Sequence, residues 1–225
     1  MAGILFIISA PSGSGKSTLV SQLRTLVEGL DFSISYTTRS PRGSEEDGRE
    51  YHFITREEFE RMIEAGEFLE WAKVFGSHYY GTARAALAHA KEAGKDLLLD
   101  IDVQGAMQVM KKMAEAVSIF IMPPSPQILE MRLRHRTVAE EAASKSPISE
   151  EEIQRRLATA KNELKRMRDY KYCLVNDVLE EAVTELRAIV LYERGVRDGV
   201  TDVALSCRTD AASPKLQAAL KTFQE

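Results

Sequence analysis

Residues 4–8, Ile-Leu-Phe-Ile-Ile, are an unbroken apolar run, the pattern of a strand buried on both faces. From Lys16 the period changes, and Leu19, Val20, Leu23 and Val27 recur at helical spacing. The same switch repeats along the chain. It predicts strands at 5–9, 97–101, 117–121 and 172–175, each ending where a polar or proline-containing loop begins. Helix boundaries are marked chemically. Thr55 and Glu58 form a capping-box pair, and Gly66 stops the helix that follows. Thr82 is expected to open a helix over 83–93, closed by Gly94, and Ser125-Pro126 to open one over 127–136. Ser149 and Glu152 cap a long helix from 150 to about 169, and periodicity predicts another over 180–194. Strands alternating with helices argue the α/β class, a parallel sheet with helices on both faces. Ligands of such sheets collect at the C-terminal strand ends.

Two regions interrupt the alternation. Residues 34–82 mix short polar strand-like pieces with arginines, tyrosines and turns, and 137–147 is a small-residue, polar stretch between two arginine-bearing helices. Both read as insertions at the ligand-binding end of the sheet. The tail beyond about 199 reads as a peripheral helix or a disordered extension.

Composition narrows the function. A chain of 225 residues, 44% hydrophobic, can bury one core and still carry inserted subdomains. A net charge of −4 implies neither a nucleic-acid partner nor a membrane surface. Cys173 and Cys207 have no disulfide or metal spacing and fit a reducing, cytoplasmic compartment. The four histidines lack metal-ligand spacing. No segment reaches transmembrane length, and the N-terminus lacks a signal-peptide layout.

The most informative stretch is "ISAPSGSGKST", residues 8–18. A phosphate-binding loop reads G-x-x-x-x-G-K-[ST] between a strand and a helix. Gly15, Lys16 and Ser17 match, and Ala10 replaces the first glycine. Gly13 and Gly15 allow backbone angles that turn N–H groups toward an anion, and the helix beginning near Lys16 adds its positive end. Residues Ala10, Pro11, Ser12, Gly13, Ser14, Gly15, Lys16, Ser17 and Thr18 are therefore expected to hold a nucleoside triphosphate, with Lys16 on the β- and γ-phosphates and Ser17 on Mg²⁺. The competing reading is a Gly/Ser-rich turn that binds nothing. The loop does not separate kinase from GTPase or ATPase.

A kinase needs an acceptor site. In "SYTTRSPR", residues 35–42, Arg39 and Arg42 flank Pro41, and paired guanidiniums suit a phosphate monoester. Tyr51 and Tyr80 offer hydroxyl donors; a solvated basic turn is the plainer alternative. Glu70, between Leu69 and Trp71, is a carboxylate in an apolar setting that needs donors. Guanine presents two adjacent donors, whereas adenine presents an acceptor at N1. A lysine or arginine partner is the structural alternative for Glu70. In "LLLDIDVQGA", residues 97–106, Asp100 occupies the position that holds Mg²⁺ through water, and Asp102 is placed to reach the acceptor nucleoside.

Taken together, "SAPSGSGKST", "SYTTRSPR", "DGREYHF", "FLEW", "YYGT", "LDIDVQGA" and "VND" resemble the guanylate kinase family in order and spacing, over about residues 4–195. The resemblance implies the P-loop nucleoside monophosphate kinase fold and transfer of the γ-phosphoryl group of ATP to GMP, dGMP included, with Mg²⁺. It implies a core over 1–33, 83–125 and 158–200, a GMP-binding subdomain over 34–82, a lid over 126–157 and a tail over 201–225. By resemblance, Ser35, Glu70 and Thr82 fall at guanine-contacting positions with Asp102 nearby, and Arg39, Arg42, Tyr51 and Tyr80 fall on the GMP phosphate. Arg39, Arg132, Arg136 and Arg156 join Lys16 as catalytic positions, and Asn176 falls on the adenine side. The lid linker is longer than the family's usual one, which leaves Arg155 and Arg156 as alternatives. Oligomeric state stays open, a homodimer included. The rival readings are a scaffold module with the same fold that binds phosphorylated peptides, a kinase of a ribose phosphate, and a regulatory GTPase. Lys16, Ser17 and Asp100 weigh against the first, and Glu70 with Ser35 and Thr82 against the second. The arginine pair weighs against the third.

Overall fold

The computed structural model describes residues 3–74, 78–144, 149–211 and 213–224; for Val74, 136–144 and Glu152 it describes the backbone alone. The chain begins with β1 (Leu5–Ser9), α1 (Lys16–Leu26) and β2 (Leu30–Phe32). A second set follows: β3 (Tyr36–Thr37), β4 (His52–Phe53), α2 (Arg56–Glu64), β5 (Phe68–Val74) and β6 (His78–Ala83). Then come α3 (Arg84–Glu92), β7 (Asp96–Asp100), α4 (Val103–Lys112), β8 (Val117–Met122), α5 (Pro126–Ser144) and α6 (Glu150–Leu164). The chain closes with β9 (Tyr172–Val175), α7 (Leu179–Glu193), α8 (Thr201–Ser206) and α9 (Pro214–Thr222).

Five strands form the core sheet in the order β2-β7-β1-β8-β9. β2 pairs parallel with β7, Leu30 opposite Asp96, and β8 pairs parallel with β9, Ile119 opposite Tyr172. Every residue of β1, β8 and β9 is buried, which is why these strands read as continuous apolar runs. The α/β expectation holds. The second sheet, β4-β3-β6-β5, is mixed: β3 runs parallel to β4 and antiparallel to β6, and β5 and β6 pair antiparallel.

By Cα proximity the chain forms two compact units. One takes the chain up to Ile7 with Gly29–Ala116, the other Ile8–Glu28 with Val117 onward.

Several local expectations changed on folding. Thr82 caps no helix: it lies in β6 opposite Glu70 of β5, and Ala83 precedes α3 without a side-chain cap. Strand pairing won over capping chemistry there. α5 runs on to Ser144 because 137–144 is rich in Ala and Glu, strong helix formers. α6 stops at Leu164 and tightens into a 3₁₀ segment, Lys165–Asp169. α4 was unanticipated. Its signals were Asp102, whose carboxylate accepts from the Gly105 N–H at 2.7 Å, and the buried Val103, Ala106 and Val109. The capping box of α2 forms, with Thr55 and Glu58 exchanging bonds of 3.0 and 3.1 Å. The tail is helical: α9 buries Leu216 and Ala219, and Phe223 packs on Leu129, Leu133, Ile153, Leu157 and Ala160 between α5 and α6. Among the described residues no helix is long and apolar enough to cross a membrane.

Candidate active site

The phosphate-loop half lies within the second unit. Buried β1 delivers the chain into a turn closed by the Ser14 N–H on the Pro11 carbonyl at 3.1 Å. Gly15, at φ 84°, is the residue before α1. Two constraints require a glycine there. The backbone is left-handed, and a Cβ would stand 2.4 Å from the Asn176 amide nitrogen. No side chain caps α1, and its first turn carries no acid, so its positive end remains available to an anionic ligand. Lys16 is half-buried; Ser17 and Thr18 are exposed. Asn176, 4% exposed, donates its amide to the Ser14 carbonyl at 2.8 Å. Arg132 donates to the Asn176 carbonyl at 3.1 Å and the Ser14 carbonyl at 3.4 Å. These two residues hold the loop's shape through its backbone.

The residues predicted for the acceptor lie within the first unit, in two groups, or corners. At the first, Arg39 is 7% exposed and forks onto both oxygens of Glu45 at 2.6 and 2.7 Å. It also donates to the Ser40 carbonyl at 2.9 Å and lies over the rings of Tyr51 (4.8 Å) and Phe53 (5.6 Å). Tyr51 and Tyr80 meet edge-on at 5.8 Å. Glu45 also accepts the Arg42 backbone N–H at 2.8 Å. Burial works against the charge on Arg39, but the Glu45 bond and the fields of Tyr80, Glu45 and Tyr51 outweigh it and raise its pKa. Burial likewise works against the Glu45 carboxylate, yet its bonds from Arg39 and Arg42 hold it below the usual range. The structure thus gathers Tyr51, Tyr80 and Glu45 around Arg39, with Arg42 joined through Glu45.

At the second corner, Glu70 on β5 is 3% exposed and faces Thr82 on β6. The Thr82 hydroxyl and backbone N–H both donate to it. The Ser35 and Thr82 hydroxyls lie 3.5 Å apart, and either can donate to the other. Burial is the largest influence on Glu70 and pushes its pKa up to about 7; Thr82 opposes, Asp102 adds to the rise, and Lys112 opposes. A carboxylate offers about four lone-pair sites, and Thr82 uses two. The arrangement suits a ligand with two adjacent N–H donors. Asp102 is engaged in capping α4 through one oxygen.

The remaining predicted positions are less defined. Asp100 ends β7 and is half-buried. Arg156 is half-buried and Arg155 exposed on α6. The side chain of Arg136 lies outside the described residues. Among those described, no three His, Cys, Asp or Glu side chains cluster to hold a metal ion.

Sequence reasoning missed Glu45 and Gly105. Glu45 had a signal: two arginines placed close together need a counter-charge, and "GSEEDG" supplies it within six residues. Gly105 had none, because only the fold brings its backbone against Glu70.

A family model described as guanylate kinase matches residues 3–193. A guanylate kinase of Koribacter versatilis is 50% identical over 234 residues, covering 100% of this chain and 97% of its own. One of Nitrosospira multiformis is 46% identical, covering 85% and 87%. The crystal structure of guanylate kinase from Anaplasma phagocytophilum superposes with a TM-score of 0.68 at 34% identity, covering 85% and 86%. With the family model, the curated relatives and the solved structure agreeing, the chain belongs to the guanylate kinase family.

Proposed function

We infer that the protein is an ATP:GMP phosphotransferase, passing the γ-phosphoryl group of ATP to GMP and dGMP and releasing ADP with the nucleoside diphosphate. The observation that carries this reading is Glu70: an almost fully buried acid whose hydrogen-bond donors come from Thr82, in the same unit as a buried arginine that follows β3. Such a site selects a ligand that supplies the missing donors, and guanine does so with N1–H and its 2-amino group. Adenine sets a lone pair against the acid. Ser35 and Thr82 orient Glu70, with Asp102 nearby; Arg39, Arg42, Tyr51 and Tyr80 take the GMP phosphate.

On the donor side, residues 10–18 cradle ATP, Lys16 neutralises its terminal phosphates, and Asn176 lies toward the adenine. The hydroxyl of Ser17 and the carboxylate of Asp100 are hard oxygen donors that fit Mg²⁺, which takes its other ligands from phosphate and water. When bound with ATP, Mg²⁺ draws charge from the β- and γ-phosphate oxygens. A GMP phosphate oxygen attacks the γ-phosphorus in line while the bond to the β–γ bridging oxygen breaks, and no side-chain nucleophile is needed. Arg39, Arg132, Arg136 and Arg156 add positive charge around the transferring group, with Arg155 the alternative to Arg156. We assign residues 34–82 to GMP binding, 126–157 to the lid, and 1–33, 83–125 and 158–200 to the core. ATP and GMP are its partners.

The test is ADP release by the purified protein with ATP, Mg²⁺ and each of GMP, AMP, UMP and CMP. Turnover with GMP far above the others is expected. Equal use of AMP, or none of GMP, overturns the reading.

A further inference from the structure

Glu70 is held from two sides. Thr82 supplies donors from β6, and the first turn of α4 closes the opposite side. Gly105 lies in that turn. A Cβ built there would sit 2.4 Å from Glu70 Oε2, 3.0 Å from its carboxyl carbon and 3.5 Å from Asp102 Oδ1. The first distance is far inside van der Waals contact, so something must yield. The helix start resists. The Gly105 N–H is fixed on Asp102 at 2.7 Å, the next N–H bonds the Asp102 carbonyl at 2.9 Å, and Ala106 is fully buried. The end of the Glu70 side chain is the softer partner.

We propose that Gly105 is a specificity-determining residue: its bare backbone gives the Glu70 carboxylate the space it occupies when it reads the guanine edge. The proposal rests on the functional reading above. A side chain at 105 displaces the carboxylate by roughly 1 Å, and misplacement on that scale is worth on the order of 10²-fold where geometry controls the reaction. The base reader changes while the phosphate corner, built from β3, the turn after it and β6, is left alone.

Gly105→Ala separates this role from ordinary packing. Alanine has the higher helix propensity, so a position that mattered only for the helix would gain thermal stability and leave the kinetics alone. We expect KM for GMP to rise at least about tenfold, with KM for ATP within about twofold of wild type and the thermal midpoint undiminished. We also expect the preference for GMP over IMP, a purine monophosphate without the 2-amino group, to shrink. Unaltered KM for GMP with an unaltered GMP-to-IMP ratio overturns the proposal. So does a lowered thermal midpoint with KM for ATP and GMP rising together, which assigns Gly105 to folding. Glu70→Asp added to Gly105→Ala draws the carboxylate back by one methylene and is expected to recover part of the lost GMP preference; failure to recover any counts against displacement as the cause. Wild-type turnover run in parallel keeps the failures apart. No GMP turnover in the wild type removes the functional reading, whereas normal wild-type turnover with unchanged variant kinetics removes only the role of Gly105.

Discussion

Glu45 and Glu70 are both acids drawn out of bulk water within the same unit, and they reach opposite electrostatic states. Glu45 receives a forked guanidinium and a backbone N–H, and its pKa falls despite burial. Glu70 receives a hydroxyl and a backbone N–H from Thr82, with Asp102 close by, and burial lifts it to about 7. Burial and partners decide together: Glu70 is 3% exposed and the Glu45 side chain 22%, and a fixed cation outweighs desolvation at Glu45 where neutral donors do not at Glu70. The consequence is a division of labour. The Glu45 corner is a preorganised ion pair, while the Glu70 corner is an acid held by neutral donors, which on the proposed function a guanine edge completes.

The sharpest way to break this comparison is Arg39→Ala. It removes an acceptor-phosphate ligand and strands Glu45, so kcat/KM for GMP should fall on the order of 10³-fold. Unfolding free energy should drop by about 2 kcal/mol, the scale of charge-assisted hydrogen bonds lost from a half-buried acid. Steady-state kinetics with calorimetry measure both, and a stability equal to wild type would show the pair to be dispensable.

Glu70→Gln comes next. An amide cannot satisfy both guanine donors, so kcat/KM for GMP should fall on the order of 10²-fold. KM for ATP should hold, and stability should hold or improve because no charge is then buried. A titration calorimeter reading of unchanged GMP affinity would contradict it.

The pH responses of the two acids have opposite signs. The folded-state pKa of Glu70 is raised from 4.5 to about 7, so its contribution to stability is complete below about 4.5 and is lost as pH rises through 7. The shift corresponds to about 3 kcal/mol at most. That of Glu45 is lowered, so its contribution is present above 4.5 and is lost as pH falls through its folded-state value. On the proposed function GMP binds ionised Glu70, so KM for GMP should rise by up to about tenfold per pH unit below 7, and Glu70→Gln should flatten that limb. A wild-type KM for GMP that is flat from pH 5.5 to 8 would remove Glu70 as the titrating group.

The smallest effect is expected from Thr82→Val, which deletes one neutral donor to Glu70. KM for GMP should rise about three- to tenfold, the scale of a single neutral hydrogen bond, and the pH midpoint should move upward. A midpoint that stays in place would mean that the hydroxyl does not support the carboxylate.

Much of this was legible in the chain. The apolar runs of β1, β7, β8 and β9 announced a buried sheet, and glycine, lysine and serine at 15–17 announced an anion site, because each signal lies within a few consecutive residues. The short strands β2, β3 and β4 carry two or three residues each, too few for a period to register. Thr82 misled because an isolated threonine before an alanine-rich run resembles a cap, and only pairing with β5 placed it in a strand.

The sequence by itself determined the class of fold, and it carried the glycine, lysine and serine pattern and the arginine pair on which the proposed sites rest, since local periodicity and local spacing encode these. Tertiary structure alone decided that Glu45 neutralises Arg39, that Arg132 and Asn176 brace the Ser14 carbonyl, and that Gly105 leaves room for Glu70. Those outcomes depend on distances between groups up to 162 residues apart in the chain, and on burial that sets which charges survive. Only the Arg39–Glu45 pair, six residues apart, lies within one short stretch of chain; the others join segments far apart in sequence.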